Sequence, residues 1–149
     1  MKELKKRLES LLESPQGELN DKLQKVCFLL DQELEHFNWT GFYFTSKEKE
    51  ELILGPYVGA PTDHTVIPFG KGICGQVAVS GETFLVEDVQ KESNYLSCSI
   101  DTRSELVVPI IKEGKNLGQI DIDSHRVNAF GKEDQELLEW LCDRIAKLM

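Results

Sequence analysis

The hydrophobic positions of this 149-residue chain change period twice. From the start to about residue 37 they recur at helical spacing. Leu4, Leu8 and Leu11 mark a first helix in "LKKRLESLLE", which "SPQGE" breaks. Leu23, Val26, Cys27, Leu30 and Leu34 form one stripe of a second, longer helix. Between about 38 and 126 the period falls to two. "WTGFYFTS", "ELILGPYVG" and "HTVIPFG" read as short strands, with "KEKE" as a hairpin loop between the first two. "ICGQVAVSG" predicts a short helix ended by Gly81, and "TFLVEDV" another strand. "SELVVPIIKEGKNLGQIDIDS" is the strongest hairpin signal, turning at "EGKN". The helical period returns over about 131–148, with acidic residues in the first turn and basic ones near the end, as a helix dipole favours. Helices at both ends of mostly antiparallel strands predict a single α+β domain spanning residues 1–149.

Composition agrees with that reading. Hydrophobic residues make up 40% of the chain and charged residues 29%, the balance of a globular protein with a core of its own. Acidic residues outnumber basic ones 26 to 17, for a net charge of -9, which argues against a nucleic-acid partner, since phosphates require a basic face. No apolar run has the length of a bilayer span, and "MKELKKRLESLLES" lacks the uninterrupted apolar stretch of a secretory signal. The expectation is a cytoplasmic protein with no membrane partner. Four cysteines (Cys27, Cys74, Cys98, Cys142) are too few for a disulfide scaffold, and none forms a C-x-x-C pair, so no metal site is expected.

The candidate chemistry begins at "PFGKGICGQ". Gly70, Gly72 and Gly75 spell G-x-G-x-x-G, but helices and hairpins precede them and no full crossover helix follows. A dinucleotide fingerprint opens the first βαβ unit, so the triplet reads as a tight turn into a helix. Cys74 lies at the start of that helix, where the dipole lowers a thiol's pKa; a small buried packing residue is the equal alternative. Cys98 sits in the polar loop "NYLSCSIDTRSE", a setting packing explains less well. Cys27 and Cys142 fall on helical stripes and read as core. Alternation in "GQIDIDS" places Asp121 and Asp123 on one strand face, which is either solvated or meets a cation.

Taken together, "NWTGFY", "LILGPYVG", "IPFGKGICG", "VEDV", "SCSIDTRSELVVPI" and "LGQIDIDS" resemble a GAF domain, and more specifically the free methionine-R-sulfoxide reductases. The resemblance implies a six-stranded antiparallel sheet with the N- and C-terminal helices packed on one face and a ligand pocket under loops on the other. It implies an aromatic wall at Trp39 and Tyr43 for the methyl-sulfoxide end, and carboxylates at Glu105, Asp121 and Asp123. These would hold the substrate's ammonium, one of them protonating the departing oxygen. The family's three pocket cysteines fall on His64, Cys74 and Cys98, so one is replaced by histidine; in many members the cysteine missing here pairs with the one matching Cys98. His64 itself reads either as an acid or as a strand-end histidine in water.

The implied chemistry is attack by a cysteine thiolate on the sulfoxide sulfur. Methionine departs, a sulfenic acid remains, and a second cysteine condenses with it to a disulfide that a thioredoxin-type partner reduces. Cys98 is assigned as nucleophile and Cys74 as resolving residue, with the reverse order left open. No cofactor is implied. The competing class is a non-catalytic GAF module that binds or senses a small molecule. Either class is compatible with N-terminal helices that serve only to form a homodimer.

Overall fold

A computed structural model describes residues 1–96 and 100–149. Eleven elements follow in chain order: α1 (Lys2–Glu13), α2 (Leu19–Glu33), β1 (Trp39–Ser46), β2 (Glu51–Val58), β3 (Val66–Pro68), α3 (Gly72–Ser80), β4 (Phe84–Val86), a 3-10 turn (Val89–Lys91), β5 (Ser104–Lys112), β6 (Lys115–Ser124) and α4 (Lys132–Ala146). The six strands form one sheet in the order β3-β2-β1-β6-β5-β4, every neighbouring pair antiparallel. The α+β architecture is therefore the one expected.

Side-chain alternation in the three central strands divides the protein into two layers. On one face run the rows Thr40–Ile122–Leu106, Phe42–Ile120–Val108 and Phe44–Gly118–Ile110, each read across β1, β6 and β5. Directly opposed residues share a face, so these rows make a nearly continuous apolar floor. α1, α2 and α4 cover it, contributing Leu4, Leu8, Leu12, Leu23, Leu30, Leu137, Leu138 and Leu141 to one core. The leucines of α1 and α2 are thus buried within the chain itself, which rules out a role in dimerisation alone. α1 presents Leu12 rather than Leu11 as its third buried leucine, because the i, i+4, i+8 row tracks the core side of a straight helix. Cys27 and Cys142 belong to this layer, and burial pushes both thiols well above their ordinary pKa.

Two strands are shorter than the pattern suggests. β3 is limited to Val66–Pro68, since Thr65 turns back to Asp63 through a backbone hydrogen bond and Pro68 has no N–H to extend the ladder. β4 stops at Val86, because Asp88 accepts a hydrogen bond from Gln90 N and caps the 3-10 turn. At the start of α4, Gly131 N donates to Asp134 Oδ2 at 2.9 Å, while His36 Nε2 lies 2.8 Å from Oδ1 of the same aspartate. That pair ties the α2–β1 connection to the last helix. Among the described residues, no helix is long and apolar enough to cross a membrane.

Candidate active site

The other face of the sheet carries the polar residues. Its first row is Trp39–Asp123–Glu105–Val86, its second Tyr57–Gly41–Asp121–Val107–Phe84, and its third places Tyr43 and Pro109 on either side of Gln119. The sheet register alone thus sets Asp121, Asp123 and Glu105 side by side, with the aromatics of β1 and β2 along one flank. α3 roofs them. Its glycine-rich entry permits a close approach: a Cβ on Gly75 would lie 2.7 Å from the Pro68 carbonyl and 3.0 Å from Gly70 N. Gly70 N and Gly75 O are in fact hydrogen-bonded at 2.8 Å, so the triplet closes a turn. Asn94 locks the same turn by accepting from Gly72 N at 2.7 Å and donating to Gly70 O at 2.8 Å.

This roof decides the status of the carboxylates. Asp121 is 0% exposed, Asp123 1% and Glu105 2%, which excludes the wet-sheet alternative. Three anions this close in a dry site repel strongly. Burial pushes the Glu105 carboxyl well above the usual carboxylate range, and the charges of Asp121 and Asp123 push it further in the same direction. Glu105 therefore resists ionisation more than an ordinary carboxyl does, and it is hydrogen-bonded to the aspartates beside it. The site thus sets one carboxyl that resists ionisation beside two further carboxyl groups.

Cys74 hangs from the first turn of α3, 5% exposed, with Sγ 3.9 Å from Glu105 Oε2. Its backbone carbonyl accepts from Gln119 Nε2 at 3.2 Å, which docks α3 onto β6. On the aromatic flank Trp39 stacks on Tyr57, centroids 5.3 Å apart and planes at 18°, with Tyr43 6.5 Å away at 26°. Trp39 Nε1 donates to the Ala60 carbonyl at 3.0 Å, and the Tyr43 hydroxyl to the His64 carbonyl at 2.8 Å. His64 thus meets the site through its main chain, as the rest that orients Tyr43.

Six of the seven expected site residues, Trp39, Tyr43, Cys74, Glu105, Asp121 and Asp123, are accordingly gathered on or against one sheet face. Cys98 lies outside the described residues. Three contributors escape sequence reasoning. Gln119 is buried two positions before Asp121 on the same face, so the alternation that singles out the aspartates also contained it. Tyr57 joins the wall only through the β1–β2 register. Gly41 leaves the space for Trp39: a Cβ there would lie 2.6 Å from Trp39 Cζ3 and 2.8 Å from Tyr57 Cβ. Gly41→Ala is expected to displace the indole at a cost of about 1–3 kcal/mol, as overpacking does. Urea unfolding and a shift in tryptophan emission would register it.

A buried cluster of acidic residues, roofed by a short helix on an antiparallel six-stranded sheet, is a candidate ligand site on an α+β domain. Residues 18–149 match the model of the GAF domain family, and the chain belongs to that family, among homologues named free methionine-R-sulfoxide reductase. It is 41% identical over 152 residues to the free methionine-R-sulfoxide reductase of Saccharomyces cerevisiae, across 94% of this chain and 84% of that protein. The free methionine-R-sulfoxide reductase of Neisseria meningitidis, solved in complex with its substrate, superposes with a TM-score of 0.91 at 32% identity, over 98% of this chain and 86% of that one. The Staphylococcus aureus enzyme, also solved with substrate, gives a TM-score of 0.87 at 37% identity, over 98% and 93%.

Proposed function

We propose that this protein reduces free L-methionine-(R)-sulfoxide to methionine, using thiols as the electron source. The observation that carries this reading is the buried triad Glu105, Asp121 and Asp123 set between a thiol and an aromatic wall. A free amino acid brings one ammonium, and in a dry pocket that ammonium finds its counter-charge in Asp121 and Asp123. Trp39, Tyr57 and Tyr43 offer flat apolar faces to the methyl-sulfoxide end. Homologues of the same name, two of them solved with substrate, support the same reaction.

In this reading the Cys98 thiolate attacks the sulfoxide sulfur while neutral Glu105 delivers a proton to the oxygen. Breaking the S–O bond of the substrate releases methionine and leaves the oxygen on Cys98 as a sulfenic acid. Cys74 then condenses with it, a disulfide forms and water departs. A dithiol of the thioredoxin type returns both cysteines to thiols by exchange. A second reading, a GAF module that binds without turnover, is favoured by one feature: His64 stands where the resemblance places a third cysteine.

The ammonium requirement separates this reaction from reduction of methionine sulfoxide within proteins. N-acetyl-L-methionine-(R)-sulfoxide is expected to show a kcat/KM about 10²-fold or more below that of the free amino acid, the scale on which a buried charge loses its partner. Equal rates for the two would remove the carboxylates as an ammonium site.

A further inference from the structure

The cluster at Cys74 also has the make-up of a cation site. One ligand atom each from Cys74, Glu105 and Asp121 lie within 4.8 Å of one another, and all three residues are buried. In a tetrahedral zinc site, with Zn–S near 2.3 Å and Zn–O near 2.1 Å, sulfur and oxygen ligands stand about 3.6 Å apart. Cys74 Sγ and Glu105 Oε2 are already 3.9 Å apart.

A second observation points the same way. Gln119 is fully buried with its carboxamide nitrogen on the Cys74 carbonyl, and its Oε1 accepts no hydrogen bond among the described residues. Buried acceptors are normally satisfied, and one left without a donor on the same strand face as Asp121, against the Cys74 main chain, suits a positive group nearby. The substrate's ammonium is one such group. It gains nothing from a sulfur ligand, however, whereas a borderline-soft divalent ion does.

We propose that Cys74, Glu105 and Asp121 bind one thiophilic divalent cation of the zinc class, in competition with the substrate ammonium. Cys74 and Glu105 bind deprotonated, their protons pass to solvent, and no group changes oxidation state. The bound ion occupies the negative patch and ties up the Cys74 sulfur, so it inhibits reduction reversibly. The binding rests on the cluster alone; the inhibition rests on the reductase reading.

The direct test adds Cd²⁺ to the reduced, substrate-free protein and follows the ultraviolet cadmium–thiolate band. One equivalent should saturate it. Zn²⁺ should abolish the band, while Mg²⁺ and Ca²⁺, which prefer six or more oxygen ligands, should leave it. Cys74→Ser should abolish it, Cys98→Ser should keep it, and Asp121→Asn should weaken Cd²⁺ binding by about tenfold or more. Glu105→Gln serves the same purpose should Asp121→Asn fail to fold by circular dichroism. A band that persists in Cys74→Ser, or wild-type affinity in a folded carboxylate variant, overturns the site. In turnover, Zn²⁺ should raise the apparent KM for the sulfoxide and leave kcat unchanged, with a chelator restoring the rate. Cadmium binding without turnover would count against the reductase reading while supporting the cation site; turnover without the band would do the opposite.

Discussion

Cys98→Ser is expected to lower kcat/KM for free methionine-R-sulfoxide by about 10⁴-fold or more, the scale on which removing a covalent nucleophile acts. The reason is chemical. Reduction of a sulfoxide by this route transfers oxygen onto a cysteine sulfur, and a serine hydroxyl can neither attack the sulfoxide sulfur as a soft nucleophile nor carry the oxygen away. Circular dichroism should show the variant folded like the wild type, so that the loss is one of chemistry. It should still bind substrate, because the triad and the aromatic wall are intact. Cys74→Ser differs in kind: if Cys74 resolves, one methionine forms per protein before turnover stalls at the sulfenic acid. A single-turnover burst in Cys74→Ser and none in Cys98→Ser would fix the order of the two cysteines. The opposite pattern would exchange their roles.

Glu105→Gln is expected to reduce kcat by about 10²–10⁴-fold, the usual worth of a positioned general acid. Burial and two neighbouring aspartates raise this group's pKa, so in the wild type the proton-donating form persists above the ordinary carboxylate range and is lost only as pH climbs through the raised value. The alkaline fall in kcat that follows should vanish in the glutamine variant. Stability should move the other way. While pH stays below the ordinary carboxylate range, Glu105 is neutral folded and unfolded, and nothing is lost. Above that range the unfolded chain releases the proton and the folded chain does not, so wild-type stability falls as pH rises toward the raised folded pKa. The glutamine side chain has no proton to release in either state. Calorimetry from pH 5 to pH 8 should find a shallower decline of Tm in the variant, and a higher Tm than wild type at the upper end. A steeper decline would mean that Glu105 is ionised in the folded protein. Loss of activity with gain of stability is the usual trade at a strained, charge-crowded site.

Much of this architecture is legible in the sequence, because period is a local property. The helices α1 and α2, the acidic start of α4 and the long β5–β6 hairpin appear where the pattern places them, although α1 buries Leu12 in place of Leu11. The ends of β3 and β4 are harder to read, since Asp63 and Asp88 turn the chain through hydrogen bonds that hydrophobic period does not encode. Alternation puts Asp121 and Asp123 on one face, yet whether that face is wet depends on α3, which arrives from a different part of the chain and roofs it. Burial, and with it the raised pKa of Glu105, comes from tertiary structure. Gln119 shares the aspartates' alternation but carries no charge, and so sends no signal. Tyr57 is invisible until the β1–β2 register stacks it on Trp39.

The most direct test of the central claim is turnover of the separate R and S epimers of free methionine sulfoxide by the purified protein, coupled to a thioredoxin-type dithiol. Loss of the R epimer alone, with an equal yield of methionine, is the predicted result. A reduced, folded protein that consumes neither epimer, or both at similar rates, would contradict the account.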